Sequence, residues 1–318
     1  MYEELNEVEK KFSITDFPLN VAIEPSNYCN LNCPFCAHDK LTRPKGAMNI
    51  YLYKKIIDEI AKENPYTRIW LDFYGEPLLV KYRLFYMIDY AKKSGLKNVA
   101  FNTNGTLLDE EMAEMLLDAG PDFISIDCEG FSKEVYEAAR VNGDRDVTYK
   151  NIEYFLKRKK ERNLDKPVIE VKVMEMPENQ HEIDQIISYW MERGACICRR
   201  RMISWGGNCS DLTKQEVPNR IACGNAVGTQ IVTWDGRATA CVMDVDAKNA
   251  YGDINVESIK EVWQRERIPL IKTHLEHRWD NLPEMCKNCT DWTVIGEERF
   301  DSNGNPIIKT YDQGKEMI

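Results

Sequence analysis

Short apolar runs alternate with amphipathic stretches along much of the chain, and this alternation is the feature that most constrains the fold. It extends over residues 19–205. Each apolar run has the length and composition of a buried strand, and each intervening stretch has the apolar spacing of a helix. Six such units predict an α/β fold with parallel strands, because parallel strands need long, usually helical connections. A sheet of this kind can close into a full or a partial barrel.

Several residues that can carry chemistry directly follow the predicted strands. A segment with three cysteines, residues 29–36, follows the first predicted strand, Gly75-Glu76 follows the second, and Asn104 follows the third. In parallel α/β sheets the carboxyl ends of the strands meet at one edge, and active sites form there. The sequence therefore predicts an active site at this edge, with the cysteine segment in it.

Length, charge and the N-terminal sequence limit the class of protein. The chain has 318 residues, which suits one large and one small domain. Its formal net charge of -10 argues against a nucleic-acid partner, because phosphate contacts need clustered Lys and Arg. The first residues are charged rather than a signal segment, and no apolar run reaches the length of a membrane span. We therefore expect a cytoplasmic protein with no membrane partner.

The cysteine content is high for a cytoplasmic protein, in which thiols stay reduced. The sequence has eleven cysteines, and seven of them fall into two groups. The remaining four, Cys128, Cys196, Cys198 and Cys209, show no close ligand spacing. Since disulfides are not expected, the two groups predict metal binding. Buried thiols that bind nothing are the plainer alternative.

The first group consists of Cys29, Cys33 and Cys36, three thiols in one predicted loop. A 4Fe–4S cluster is held by cysteine thiolates, one for each iron. Three cysteines leave the fourth iron open to another molecule, as catalytic metal sites do. A zinc site completed by His38 is the alternative, although zinc sites more often use paired C-x2-C units.

The spacing Cys29-x3-Cys33-x2-Cys36, with Phe35 before the last cysteine, resembles the radical S-adenosylmethionine (SAM) superfamily. The resemblance covers residues 19–205 and implies a partial (β/α)6 barrel of the TIM type for them. It implies that the open iron chelates the amino and carboxylate groups of SAM. One electron, supplied by a flavodoxin- or ferredoxin-type reductant, then cleaves SAM to a 5′-deoxyadenosyl radical, which abstracts a hydrogen atom from a substrate.

The same resemblance indicates residues that contact SAM. The Gly-Gly-Glu motif of the family, which receives the SAM amino group, is present as Tyr74-Gly75-Glu76, with tyrosine in place of the first glycine. A carboxylate at this position suits a cationic ammonium group. Asn104, Ser125 and Arg140 resemble further SAM contacts, and Arg140 could pair with the SAM carboxylate. Each of these three is otherwise an ordinary turn or surface residue.

The second group has the spacing Cys223-x12-Gly236-x4-Cys241, followed by Cys286-x2-Cys289. This pattern resembles the SPASM domain in its shortened form, the twitch domain. Such a domain binds one auxiliary 4Fe–4S cluster, with all four irons held by the protein. Among proteins with such a domain, the spacing of these four cysteines is similar to that of 2-deoxy-scyllo-inosamine dehydrogenases. A zinc ribbon with four cysteines is the alternative.

The resemblance divides the chain into three parts. Residues 1–18 form an N-terminal extension, residues 19–205 form the barrel, and residues 206–318 form a small α+β SPASM or twitch domain. Within the last part, Asp235-Gly236 predicts a hairpin turn. A short helix is expected at residues 256–265.

The expected reaction is oxidation of a carbinol carbon in a sugar, aminocyclitol or similar polyol, with the auxiliary cluster as electron acceptor. This substrate class follows from family analogy. A basic residue near the site would stabilise an alkoxide-like intermediate. Arg201, at the end of the sixth predicted strand, is the candidate.

Three alternatives stay open. A radical SAM epimerase of a sugar or peptide needs a thiol that donates a hydrogen atom, and Cys209, followed by Cys128, is the candidate. A maturase would modify a ribosomally made peptide. A non-catalytic interaction protein would use the same cysteines for zinc. Structural burial is the plainer interpretation of Cys209 and Cys128.

Overall fold

A single mixed sheet is the frame of the structure. The computed structural model describes residues 9–209, 220–287, 289–292 and 297–307, and within them the sheet has ten strands. In chain order these are β1 (Asn20–Ile23), β2 (Arg68–Trp70), β3 (Val99–Thr103), β4 (Phe123–Asp127), β5 (Val168–Glu175), β6 (Cys196–Arg201), β7 (Thr229–Val232), β8 (Arg237–Thr239), β9 (Ala250–Asp253) and β10 (Glu298–Phe300).

Strands β1 to β6 are parallel and lie side by side in chain order. The full order across the sheet is β10-β6-β5-β4-β3-β2-β1-β7-β8-β9. Strand β7 adds to β1 in parallel, and β10 adds to β6 in the antiparallel direction. The six strand–helix units therefore form an open barrel that is extended at both edges. The predicted α/β architecture with a partial barrel is confirmed.

Helices connect the parallel strands, and local sequence signals mark their ends. The Asn49 side chain caps the first helix, and Asp109 caps the third. Gly120, with a φ of 68°, ends the third. None of the described helices is both long and apolar enough to span a membrane. The helices are α1 (Ile50–Glu63), α2 (Tyr82–Lys93), α3 (Glu110–Ala119), α4 (Lys133–Ala139), α5 (Arg145–Glu161), α6 (Ile183–Glu192), α7 (Gly224–Gly228), α8 (Ile259–Val262), α9 (Ile268–Leu275) and α10 (Glu284–Lys287).

Strand β5 shows how the barrel separates an apolar core from a polar interior. Ile169, Val171 and Val173 belong to the main apolar core. Glu170 and Lys172, which alternate with them, are also buried. Because successive side chains of a strand point to opposite faces, the charged residues face the barrel interior. The polar interior is where a ligand can be bound by directed hydrogen bonds.

The C-terminal region contains a hairpin and an interrupted helix. Strands β7 and β8 are antiparallel, and Gly236 has a φ of 93° in the turn between them, as the sequence predicts. The helix predicted at residues 256–265 extends further, as α8, a π-helical segment Trp263–Arg267, and α9. Pro269 has no backbone N–H to donate, which accounts for the irregular hydrogen bonding at this point.

The described part of the N-terminal extension packs on the C-terminal region. The Glu9 side chain accepts a hydrogen bond from the backbone N–H of Ala222 (2.6 Å). Trp263 donates through Nε1 to the carbonyl of Thr15 (2.8 Å), and Phe12 packs on the apolar cluster around Trp263. These contacts tie the extension to the region that carries the second group of cysteines.

Candidate active site

The three-cysteine loop lies between β1 and α1 and faces a cavity. Cys29, Cys33 and Cys36 are free thiols, and all three line the cavity. The backbone N–H of Cys36 donates to the carbonyl of Cys33 (3.1 Å), which turns the loop back on itself. Burial raises the pKa of each thiol, that of Cys36 to about 12. A bound metal group would hold the three as thiolates at neutral pH.

A buried ion pair fixes the residues around this loop. Arg43 pairs with Glu24, and both side chains are shielded from solvent. Arg43 also donates through Nε to the carbonyl of Val245 (2.8 Å), so the pair links the loop to the C-terminal region. His38, the fourth ligand in the zinc alternative, has its Nε2 atom 3.0 Å from the carbonyl oxygen of Asn27. The His38 ring is thus engaged by the loop itself.

Gly75 allows the segment after β2 to approach the cysteine loop closely. A Cβ atom at this position would lie 2.4 Å from the carbonyl oxygen of Ser26 and 2.9 Å from that of Tyr28. The next residue, Glu76, donates its backbone N–H to the Tyr28 carbonyl (2.8 Å). Because only glycine leaves room for this approach, the motif places Glu76 directly beside the cysteine loop.

Replacing Gly75 with alanine is expected to lower the free energy of unfolding by about 1–3 kcal/mol, the usual cost of overpacking, and to weaken SAM binding. Chemical denaturation and a SAM titration measure the two effects. Gly95→Ala is the matched control, because Gly95 also has a positive φ, 95°, but no atom lies within 4 Å of the added Cβ. Equal losses in both variants would contradict a specific steric role for Gly75.

The buried carboxylate of Glu76 accepts three hydrogen bonds. It accepts from the hydroxyl of Thr103 (2.7 Å) and from the backbone N–H groups of Asn104 (2.8 Å) and Leu78 (3.0 Å). Burial raises the pKa of Glu76 to about 7 despite these bonds. A carboxylate in this state is stabilised further by a cationic partner, and the ammonium group of SAM has the required charge.

Arg140 joins the cysteine loop to two carboxylates at the end of β4. Its guanidinium pairs with Glu129, and Nη2 lies 3.6 Å from the Asp127 carboxylate. Nη1 lies 3.7 Å from Cys33 Sγ, and the guanidinium carbon lies 5.2 Å from the centre of the Phe35 ring. Arg140 and Phe35 therefore line the cavity beside the cysteines.

The two other residues predicted to contact SAM lie in different environments. Asn104 lines the cavity, and its side-chain amide donates to Asn30 Oδ1 in the cysteine loop (3.0 Å). Ser125 is fully buried and donates to Glu170 (2.9 Å). Ser125 is not among the described residues that line the cavity. The structure thus brings Asn104, but not Ser125, to the cysteine loop.

The cavity has a volume of about 420 Å³, within the range of sites for small ligands. Its wall carries a network that we call the Asp72 network: Asp72, Asn102, Asp127 and Lys172. The Asn102 amide donates to Asp72 and accepts from Lys172 Nζ (2.7 Å). Lys172 Nζ also lies 3.7 Å from the Asp127 carboxylate. Burial raises the pKa of Asp72 to about 6.

Sequence reasoning missed most of the Asp72 network, although one signal was present. Lys172 stands between Val171 and Val173 in a predicted strand. Strict alternation of charged and apolar residues in a strand indicates that one face of the strand packs on an apolar core and that the other face lines a polar interior. This signal would have placed Lys172 inside the barrel.

The three residues predicted to be catalytic are not among the described residues that line the cavity. Cys128 is fully buried in the main core, with Sγ 3.5 Å from the Tyr149 hydroxyl. Cys209 is partly exposed and belongs to a small apolar cluster near the cysteine loop. Arg201 is exposed, whereas Arg200 lines the cavity, because side chains alternate along β6.

The second group of cysteines converges although its members come from distant segments. Cys223 precedes α7, Cys241 follows β8, Cys286 lies in α10, and Cys289 follows α10. All four are free thiols. The pKa of Cys241 is raised well above its usual value by burial and then by the charges of the other three thiols. The four thiols therefore lie in the same part of the fold.

A hydrogen-bonded segment after β6 connects the two thiol sites. Trp205 donates through Nε1 to the carbonyl of Phe35 in the three-cysteine loop (2.6 Å). The backbone N–H of Gly206 donates to the Asp291 carboxylate (2.6 Å), and the backbone N–H of Asp291 donates to Cys289 Sγ (3.3 Å). The two sites thus share one short path of contacts.

The chemistry of the donors fits iron–sulfur clusters at both sites. Each donor set consists of free, buried or partly buried thiols, the ligand type that holds such clusters. Within the described part of the chain, no three His, Cys, Asp or Glu side chains are close enough to chelate a single metal ion. The fit therefore rests on the number, the burial and the chemistry of the thiols.

Comparison with known families decides the classification. The model of the Radical SAM superfamily matches residues 23–189, more than half of the chain. The chain belongs to the radical SAM superfamily. A second model, SPASM, described as an iron–sulfur cluster-binding domain, matches residues 223–290, which include the four cysteines of the second group. As a radical SAM protein with a SPASM domain, the chain uses SAM and 4Fe–4S clusters.

Two relatives illustrate the range of this radical SAM chain's similarity. It is 28% identical over 212 residues to the tungsten-containing aldehyde ferredoxin oxidoreductase cofactor-modifying protein of Pyrococcus furiosus. That alignment covers 66% of this chain but only 57% of the relative. It is 21% identical over 283 residues to the SAM-dependent 2-deoxy-scyllo-inosamine dehydrogenase of Niallia circulans, covering 88% and 96% of the two chains.

Solved structures share the fold of this radical SAM protein. BtrN in complex with AdoMet and 2-DOIA aligns with a TM-score of 0.62 at 18% identity, over 89% of this chain and 96% of that one. Streptococcus suis SuiB bound to the precursor peptide SuiA aligns with a TM-score of 0.67 at 13% identity, over 85% and 69%. The partial barrel with a C-terminal SPASM domain is therefore confirmed as the fold.

Proposed function

We propose that this chain is a radical SAM dehydrogenase that oxidises a carbinol carbon of a sugar, aminocyclitol or similar polyol. The observation that carries the proposal is Asp72, a carboxylate in the cavity wall whose pKa of about 6 suits a general base at neutral pH. The four-thiol site, which is connected to the three-cysteine loop, supplies a site for the electron acceptor. Oxidation of an alcohol needs both a base and an electron acceptor.

In this proposal the two thiol groups hold two 4Fe–4S clusters. Cys29, Cys33 and Cys36 hold the SAM-binding cluster, and the auxiliary cluster is held by Cys223, Cys241, Cys286 and Cys289. When bound, the first cluster supplies the electron that cleaves SAM, and the auxiliary cluster accepts the electron that the substrate radical loses. The family resemblance assigns the SAM contacts to Phe35, Gly75, Glu76, Asn104, Ser125 and Arg140, and all of these except Ser125 line the cavity.

The protein's own residues manage the proton of the substrate hydroxyl. The carbinol carbon loses a hydrogen atom to the SAM-derived radical, its hydroxyl loses a proton, and one electron leaves, so that a carbonyl group forms. Asp72 takes the proton. The Lys172 ammonium, 2.7 Å from Asn102 Oδ1, stabilises the negative charge that develops on the substrate oxygen.

The lining of the cavity supports a hydroxylated ring as substrate. Lys172 and Arg200 offer donors, and Asp72 and Asp127 offer acceptors. Several hydroxyl groups on one ring can satisfy these groups, and unsatisfied buried polar groups would be costly. Trp70, also in the lining, offers a flat apolar face to ring C–H groups. The similarity to the dehydrogenase of Niallia circulans supports the same substrate class.

The proposal is tested by incubating reconstituted protein with SAM, a reductant and a panel of sugars, aminocyclitols and precursor peptides. The expected result is a product lighter than its polyol substrate by two hydrogen atoms, formed together with 5′-deoxyadenosine. A product of unchanged mass that gains deuterium from heavy water would indicate an epimerase instead. A modified peptide with untouched polyols would indicate a maturase.

We also propose a flavodoxin- or ferredoxin-type protein as the electron donor and the cytoplasm as the location. Both proposals rest on the chemistry of the family, since reductive cleavage of SAM needs a low-potential one-electron donor. Reduction of the purified protein by candidate flavodoxins and ferredoxins, followed by assay of 5′-deoxyadenosine, tests the first.

A further inference from the structure

Arg267 is a fully buried cation beside the four-thiol site. Its guanidinium donates to the carbonyls of Ala240, Asn225 (3.0 Å) and Thr229 (2.7 Å). Ala240 directly precedes Cys241, and Asn225 lies two residues after Cys223. Arg267 therefore joins the segments that carry two of the thiols. Its Nε atom is buried without a hydrogen-bond partner.

Arg220 joins a third segment to the same site. It donates through Nη2 to the carbonyl of Cys286 (2.6 Å) and through Nη1 to the carbonyl of Lys287 (2.7 Å). Its guanidinium carbon lies 4.9 Å from the centre of the Trp279 ring. Arg220 itself stands three residues before Cys223. Two guanidinium groups thus tie together the backbone around the thiols.

His274 completes this arrangement as an uncharged ring. It is 2% exposed, and neither ring nitrogen has a hydrogen-bond partner. Burial, and then the charges of Arg220 and Arg267, lower the pKa of His274 to about 4. A neutral imidazole keeps one N–H donor, and in this structure that donor is unused.

The charge of Arg267 lacks a carboxylate counterpart among the described residues. Burying a cation is costly unless an opposite charge lies near it. Arg267 and Arg220 lie beside the thiols, because Arg267 donates to the carbonyls of Ala240 and Asn225 and Arg220 donates to the carbonyl of Cys286. Thiolates that hold a cluster would supply the missing negative charge.

Two acidic side chains also lie near the four thiols. Asp291 and Asp244 lie near Cys289 and Cys286, respectively. Both carboxylates accept backbone N–H bonds, Asp291 from Gly206 and Asp244 from Asn249 (2.9 Å). Those donors offset part of the negative charge of the two carboxylates, and Arg267 and Arg220 add positive charge beside the segments that carry Cys223, Cys241 and Cys286.

The three-cysteine site has a more negative balance of charged side chains. Its cation, Arg140, pairs with Glu129 and lies beside Asp127. Glu76 adds a further carboxylate near Cys29. Negative charge near a cluster disfavours its reduction, and positive charge favours it. The charged side chains around the two sites therefore favour electron transfer toward the four-thiol site.

We propose that Arg220 and Arg267 form a charge shell that offsets the negative charge of the auxiliary cluster and raises its reduction potential, and that the uncharged His274 ring contributes an N–H donor but no charge. The inference rests on the proposed function, because it explains how the auxiliary cluster becomes the acceptor of the substrate's electron. Arg267 is a positioning residue in this scheme: it contacts neither substrate nor SAM.

The test measures the midpoint potential of the auxiliary cluster alone, in full-length protein whose Cys29, Cys33 and Cys36 are changed to alanine. EPR-monitored redox titration compares Arg267→Gln with Arg267→Lys. Removing the charge is expected to disfavour one-electron reduction by at least about tenfold, which is about 59 mV for a one-electron couple. Lysine keeps the charge and should restore most of the potential.

Arg265→Gln is the matched control, because Arg265 is an exposed neighbour on the same helical segment and pairs with Glu257 and Glu266. It is expected to leave the potential unchanged. If Arg267→Gln and Arg265→Gln give the same potential at equal iron content, the charge shell is wrong. If Arg267→Gln holds no cluster, the half-buried Arg220→Gln decides: a lowered potential supports the shell, and an unchanged one overturns it.

The proposed function and the charge shell fail in different ways. A potential that falls in Arg267→Gln while the wild-type protein oxidises no polyol would leave the shell in place and remove the dehydrogenase. Polyol oxidation with no change of potential in Arg267→Gln would remove the shell alone.

Discussion

Replacing Cys33 with serine is expected to abolish SAM cleavage and to remove one of the two clusters. Iron–sulfur clusters are held by thiolates, and a serine hydroxyl does not replace one. The reconstituted variant should contain about four irons per chain instead of about eight, because the four auxiliary thiols are untouched. Iron analysis and chromatography of 5′-deoxyadenosine measure the two effects.

Cys196→Ser is the control for this substitution. Cys196 is a partly buried free thiol on β6 that belongs to neither group. Its variant should keep about eight irons and cleave SAM like the wild-type protein. The assignment of Cys33 would be wrong if Cys33→Ser still cleaved SAM, or if the two variants lost iron equally.

Replacing Asp72 with asparagine is expected to reduce formation of the oxidised product by about 10²–10⁴-fold, the usual contribution of a general base. Asparagine has nearly the same shape, so the contact with Asn102 can be kept while the proton acceptor is lost. A single turnover of SAM cleavage should persist, because Asp72 does not act on SAM. The measured quantity is the ratio of product to 5′-deoxyadenosine.

The pH dependence of the wild-type protein follows from the same group. Burial raises the pKa of Asp72 to about 6, Lys172 opposes this rise, and Asp127 adds to it. Below about pH 6 the carboxyl holds its own proton and cannot accept another, so product formation should increase as the pH rises through about 6. Asp89→Asn, at an exposed acid paired with Lys93, is the control. A flat profile, or full product yield from Asp72→Asn, would contradict the role of Asp72.

The strand–helix order of the barrel was predictable because it depends on local patterns. Apolar runs and helix caps such as Asn49 and Asp109 are written in neighbouring residues. The short edge strands β9 and β10 were not predicted, since Ala250–Asp253 and Glu298–Phe300 become strands only through their pairing with β8 and β6. The extent of the interrupted helix was missed for a similar reason, because its π-helical segment arises around Pro269.

The cysteine groups and the Gly75-Glu76 motif were also visible in the sequence, because their function requires fixed spacing. Catalytic side chains were not, since they are set by which face of a strand turns inward. Arg201 is the last of three consecutive arginines, whereas β6 turns Arg200 toward the cavity. Cys128 and Cys209 are thiols without ligand spacing, and this property does not indicate the direction of their side chains.

The charge shell around the auxiliary site was beyond sequence reasoning for a further reason. Arg220 and Arg267 are held by hydrogen bonds to the backbone carbonyls of other segments, and backbone acceptors leave no mark in the side-chain pattern. In the sequence, Arg220, Arg267 and His274 are ordinary polar residues without a motif.

The central claim is that a hydrogen atom leaves a carbinol carbon and the remaining electron reaches the four-thiol site. The most direct test is a single turnover with a polyol deuterated at that carbon, followed by mass spectrometry of 5′-deoxyadenosine and EPR of the frozen mixture. We predict one deuterium in 5′-deoxyadenosine for each carbonyl product, together with the signal of a reduced auxiliary cluster. Unlabelled 5′-deoxyadenosine, or an auxiliary cluster that stays oxidised while product forms, would contradict the account.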